Sequence, residues 1–195
     1  MLELTHKVDQ GALELDWVMG ILDQVIEGRL CIGESNIIHL NPFQPFDPVM
    51  FIGAGCRFAD KDLGDHRSSI LSEIDLAQVC FKTTAIEDEV VCITREERRE
   101  RLKASGNICL GHKVFQTLWE NKGFIPEKWK YFSNICFDGT VFCDSEGERF
   151  VLSLYWNGNF WAQGFNFLKD DCDMFEISAV LSSPYNIGYN QKIFF

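Results

Sequence analysis

The sequence predicts an α+β domain over residues 88–195, preceded by a helical and irregular N-terminal extension over residues 1–87. Three observations carry the prediction. A β-favouring run ending at Ile93 leads into a helix-start signal, and an amphipathic helix follows it. From Phe124 onward lie 11 of the 17 Phe, three of the five Trp and all four Tyr, in apolar runs divided by turn signals. Strand, helix, helix and then a run of antiparallel strands is the order of an α+β domain.

Taken in chain order, residues 12–27 read as an amphipathic helix, with Leu15, Val18, Leu22 and Val25 in one stripe and Gly28 as its stop. Pro42, Pro45 and Pro48 then predict an extended connector, because proline removes a donor and restricts its predecessor. Gly53-Ala54-Gly55 lacks the further glycines and Lys of a phosphate loop and reads as a bend. Leu76 to Phe81 and Glu89 to Ile93 read as short strands. Thr94-Arg95-Glu96-Glu97 forms a capping box that opens a helix running to about Ala104. Its basic residues, Arg95, Arg98, Arg99, Arg101 and Lys103, alternate with Glu96, Glu97 and Glu100 and predict a solvated helix face. A second helix is expected from His112 to Asn121, with Val114, Phe115, Leu118 and Trp119 on one face and Gly123 as its cap. Asp138-Gly139 and Asn157-Gly158 are hairpin signals, and Ser145-Glu146-Gly147 is a further turn. Strands are expected at Arg149–Tyr155, Asn159–Phe167 and Ser178–Leu181.

Composition narrows the function. A net charge of −11 disfavours nucleic acid, whose phosphates need Lys and Arg. No apolar run reaches membrane-span length, and the first residues lack a basic region followed by an apolar one, so a cytoplasmic location is expected. Eight cysteines form no Cys-x-x-Cys pair and read mainly as buried, reduced thiols. No cofactor and no metal are expected. His112 is read as a capping or surface residue. Asp65-His66 is a possible dyad without a nucleophile signature. Asp170-Asp171-Cys172-Asp173 gathers three carboxylates but lacks the glycine and distal Glu of a calcium loop, so it reads as a solvated acidic turn.

The densest aromatic stretch, Tyr155-Trp156-Asn157-Gly158-Asn159-Phe160-Trp161, interleaves rings with small polar residues. Together with Val90–Glu97, Phe137–Val141, Arg149–Trp156 and Ser178–Leu181, it resembles C-type lectin-fold domains, especially the variable proteins of diversity-generating retroelements. The resemblance covers about residues 89–183, leaving Pro184–Phe195 and residues 1–87 outside it. It implies a C-type lectin-like domain that binds a protein or other macromolecular ligand without catalysis. It also implies a C-terminal region rewritten by adenine-specific mutagenic reverse transcription. Variable positions in that family are typically encoded by Asn-type codons, which can become Ser, Tyr, Asp, Gly, Ala, Phe or Cys but never Trp, Gln, Lys, Glu or Met. On that logic Asn157, Asn159, Phe160, Ala162, Gly164, Phe165, Asn166, Asp170, Cys172 and Phe175 are the candidate binding positions. Tyr155, Trp156, Trp161 and Ser178–Leu181 are the frame.

Two other readings stay open. A small enzyme or effector would use Asp170, Asp171 and Asp173 with a His, and an adaptor would dock through the proline segment 41–48.

Overall fold

The computed structural model describes residues 36–41, 43–59, 64–83, 93–172 and 176–182. The helix expected at 12–27, most of the strand at 89–93, and the tail fall outside those residues. In chain order the elements are β1 (Ile37–His39), α1 (Pro48–Phe51), β2 (Arg57–Phe58), α2 (His66–Ser69), β3 (Glu73–Asp75), β4 (Val79–Lys82), α3 (Arg95–Ala104), β5 (Ile108–Cys109), α4 (His112–Glu120), β6 (Asn134–Cys143), β7 (Arg149–Trp156), β8 (Trp161–Phe167) and β9 (Glu176–Leu181). The fold is mixed α+β, mostly sheet with few helices.

One sheet runs in the order β4-β9-β6-β7-β8, with β2 added to β6 and β5 to β9. β1 and β3 form a separate antiparallel pair. Residues upstream of 88 therefore complete the main sheet: Phe58 pairs with Phe142, and Cys80 with Val180. Everything described belongs to one unit, Asn36–Phe195. The closing strand departs from expectation, because β9 lies parallel to β6 while remaining antiparallel to β4 and β5. A chain that returns through a long connection is free to enter in either direction, which turn signals do not encode.

Side-chain alternation gives the sheet two faces. Ile135, Phe137, Phe150, Leu152, Leu154 and Ile177 point to one face and pack against Val114, Phe115 and Leu118 of α4 and against Trp129. On the other face Cys136 and Val151 pack with Val141 and Leu168, and Leu102 of α3 packs with Cys109 and Val180. The two helices thus cover opposite sides.

Local signals set several boundaries. Thr94 Oγ1 accepts from the Glu97 N–H at 3.2 Å and starts α3, while the Glu97 carboxylate takes Arg101 Nη2 at 2.6 Å. Replacing Thr94 by Ala should remove about 1 kcal/mol of stability, measured by chemical denaturation. α4 ends one residue early: Asn121 has φ −127° and ψ 63°, and Gly123 lies in a 3-10 turn, Lys122–Phe124, and not at the cap. The proline segment is not extended throughout. Asp47 caps a single helical turn that begins at Pro48, where proline's fixed φ suits the first helical position.

Asp138-Gly139 is not a turn. Both residues lie inside β6, which continues through an irregularity in its pairing with β7 between Phe137 and Phe142. The glycine serves a close backbone approach instead: a Cβ at Gly139 would sit 2.1 Å from the Cys109 carbonyl oxygen. The aspartate is fully buried, 3.6 Å from the Arg98 guanidinium.

Candidate functional site

β7 and β8 form a hairpin with seven unbroken register pairs, from Phe150 opposite Phe167 to Trp156 opposite Trp161. Its turn is built from one side chain. Asn157 Oδ1 accepts from the N–H groups of Asn159 at 3.0 Å and Phe160 at 2.9 Å, and Gly158 takes the left-handed φ of 98° that the turn demands. Below the turn, the Trp156 and Trp161 rings meet edge to face at 5.6 Å, and Lys130 Nζ lies 4.0 Å from the centre of the Trp156 ring. The tip is therefore a rigid base with exposed residues above it.

The ten candidate positions fall in different places. Asn157, Asn159 and Phe160 sit together and exposed at the tip, Phe160 with 59% of its surface accessible. Ala162 and Gly164 lie opposite Tyr155 and Ser153, on the face away from the α4 core. Asn166 shares that face, but its amide is engaged: Oδ1 accepts from Asn134 Nδ2 at 3.2 Å and Nδ2 donates to Cys136 Sγ at 3.1 Å. Phe165 points to the other face, where its exposed ring packs at 5.5 Å from Phe150 and 5.9 Å from Phe167. Asp170 and Cys172 follow the strand at the end remote from the tip. Asp170 lies 3.8 Å from Arg95, and the Cys172 N–H donates to the Ile93 carbonyl. Phe175 lies outside the described residues.

Beneath the β6–β9 part of this second face is a set of buried charges that sequence reading placed in solvent. Arg95, Arg98 and Arg99 are 9%, 0% and 0% exposed. With Leu102 they occupy the i, i+3, i+4, i+7 positions of α3, the stripe that normally carries apolar residues toward a sheet. Arg95 clasps Glu176 through two bonds of 2.9 and 2.6 Å. Arg98 lies 3.6 Å from both Asp138 and Glu176, and Arg99 Nε donates to the Asp138 carbonyl at 3.2 Å. Burial opposes the Arg98 charge, but neighbouring groups, Asp138 first, more than offset it and raise its pKa. Burial also pushes the adjacent Cys136 thiol up to about 12, so it stays protonated. This cluster fixes α3 to β6 and β9. The signal that would have found it is the stripe's spacing, read without regard to residue type.

The remaining motifs take the following places among the described residues. In the possible Asp65-His66 dyad the carboxylate is engaged with other groups: Asp65 caps α2, holds Arg67 through 2.9 and 2.8 Å bonds, and accepts from the Cys109 N–H at 3.0 Å. Burial raises its pKa, but these partners, Arg67 first, bring it below the usual carboxylate value. His112 is half-buried and does not cap the helix, whose N-cap is Gly111. It starts α4, its Nδ1 lies 2.9 Å from Thr140 Oγ1, and its ring packs on Phe46 and Phe58. With His66, Asp65, Ser69 and Thr140 it lines a cleft of about 380 Å³. Among the described residues, no three His, Cys, Asp or Glu side chains come together as a metal site. Asp173 lies outside those residues. In the proline segment Phe46 belongs to the core, packed against Phe51, Phe58 and Phe142, while Phe43 is 90% exposed.

Burial, helped by the Lys113 charge, lowers the His112 pKa from 6.5 to about 4. The unfolded chain therefore binds this proton more readily. The contribution is fully present above pH 6.5 and is lost as pH falls from there toward about 4. Thermal unfolding from pH 7 to pH 4.5 should show a smaller loss in His112→Phe, which keeps the ring contacts, than in the wild type. Equal losses would contradict this assignment.

No family model, curated protein or solved structure matches the chain. No helix among the described residues is long and apolar enough to cross a membrane.

Proposed function

We propose that this protein is a non-catalytic binding module that presents the β7–β8 hairpin to a macromolecular partner, on a C-type lectin-like frame with diversified positions. The observation that carries the reading is the division within the hairpin itself. Trp156 and Trp161 pack together as a base, and Asn157, Asn159 and Phe160 stand exposed above it. Rings supply contact area with few rotatable bonds, and small polar residues adapt to different partners. The order of the described elements, two helices followed by three antiparallel strands and a closing strand, supports the lectin-like part of the reading.

The positions are not equivalent under this proposal. Asn159, Phe160 and Ala162 suit variation, whereas a Cβ added at Gly164 would lie 3.0 Å from the buried Ser153 Oγ, so that position takes a side chain only where Ser153 shifts. Asn166 serves the frame, since both ends of its amide hold neighbouring side chains. Asn157 carries the turn and tolerates Asp or Ser better than a ring.

The test is at nucleotide level. The reading expects an imperfect repeat of the gene's 3′ end nearby, beside a reverse transcriptase gene, with differences confined almost wholly to adenines. Absence of the repeat, or differences at all four bases, would remove diversification from the account and leave only a hairpin-binding module.

A further inference from the structure

β8 is a terminal strand of the sheet, and nothing among the described residues pairs with its outer edge. Two bonds fix which backbone groups point there: the Asn157 N–H donates to the Phe160 carbonyl, and the Leu168 N–H donates to the Arg149 carbonyl. Both belong to one alternating set, which continues through Tyr155 with Ala162, Ser153 with Gly164 and Val151 with Asn166. Those β8 residues turn N–H and C=O toward β7. Gln163 and Phe165 therefore turn theirs outward.

Natural edge strands are guarded by charge, proline, a bulge or short length. β4, the opposite terminal strand, has four residues and ends in Lys82. β8 has seven residues, a continuous register and no proline. From Asn157 to Leu168 the sequence carries no charge at all. Gln163 and Phe165, the residues with outward backbone groups, are also exposed in their side chains.

We infer that the outer edge of β8 takes up an extended strand from a protein partner by sheet extension. The inference rests on the hairpin being the binding surface and moves part of the recognition from tip side chains to the strand backbone. The chemistry selects the occupant. Donors and acceptors that alternate at strand spacing are matched by an extended peptide backbone. Specificity then comes from what flanks the edge: Phe165 offers a ring on one face, and Gly164 with Tyr155 offers a small residue beside a large one on the other. With a net charge of −11 on the chain, a basic strand is attracted, whereas a second copy meets like charge.

The probes are end-capped nonapeptides of alternating Val and Thr, one carrying Lys at both ends, one Glu, and one a central Pro. Amide hydrogen exchange is followed in the full-length protein. The Lys peptide should slow exchange at Gln163 and Phe165 by about tenfold or more, the Glu peptide should act more weakly, and the Pro peptide should not act. Gln163→Pro should abolish the effect and leave the melting temperature close to wild type, because that N–H serves no β7 bond. Gln163→Lys, which restores an edge guard, should weaken it in the same direction. Unchanged exchange at both amides at millimolar Lys peptide would overturn the inference. Slow exchange without peptide, accompanied by a dimer mass, would overturn it in favour of a second copy. Changes confined to Asn159 and Phe160 would refute the edge and leave the tip as the binding surface.

Discussion

Replacing Arg98 by Met is expected to destabilise the domain by about 3–5 kcal/mol, the largest effect of any single charged residue outside the hairpin. Its guanidinium is fully buried between Asp138 and Glu176, so removing it leaves two carboxylates facing a dry interior. Arg95 still holds Glu176, but Asp138 keeps only Arg99, which bonds its carbonyl and not its carboxylate. Asp138→Leu should also destabilise, since it leaves Arg98 with only one of its two counter-charges, Glu176, which Arg95 already shares. The double variant Arg98→Met with Asp138→Leu should cost well under the sum of the two, because no unpaired charge remains. Urea denaturation of all four proteins measures this. Additive losses would mean that the two groups do not act as a pair.

Gly139→Ala is the second large effect, expected at about 3 kcal/mol, the upper end of what overpacking costs. The added methyl would lie 2.1 Å from the Cys109 carbonyl oxygen and 2.8 Å from the Leu110 carbonyl carbon, all backbone atoms. Neither neighbour can swing aside. Cys109 pairs with Val180 of β9, and the Gly139 N–H donates to the Leu110 carbonyl at 2.9 Å. Relief requires β6 to separate from the segment leading into α4. Gly158→Ala makes a useful comparison: nothing lies within 4 Å of its added Cβ, and its cost comes from the positive φ of 98° alone. It should lose about 1 kcal/mol. Thermal denaturation of the two variants ranks them, and the reverse order would contradict the close approach at Gly139.

What the sequence disclosed divides along the range of the interactions. The Thr94 cap, the Asn157-Gly158 turn and the strands on either side of it were legible because each is set by residues within a few positions. The arginines of α3 were not. Their charge suggested solvent, while their partners Glu176 and Asp138 stand 81 and about 40 residues away along the chain. Asp138-Gly139 was misread for the same reason. The pair has turn composition, yet a buried counter-charge requires the aspartate and a neighbouring backbone requires the glycine. Proximity between His112 and the Phe46 and Phe58 rings likewise depends on a loop folding over α4, which no local pattern foretells. In the candidate site, the exposed tip was readable from the alternation of rings and small residues. The engagement of Asn166 with Cys136 and Asn134 was not, because it crosses to another strand.

A saturation scan of residues 149–168, sorted for folded protein by thermal challenge, tests the division of the hairpin into frame and displayed face. Asn159, Phe160 and Ala162 should accept nearly every residue type. Phe150, Leu152, Leu154 and Trp161 should accept only large apolar residues, and Asn157 little beyond Asp or Ser. Uniform intolerance along the hairpin, with Asn159 and Phe160 as restricted as Trp161, would show a structural core strand and contradict the reading of this surface as one built to vary.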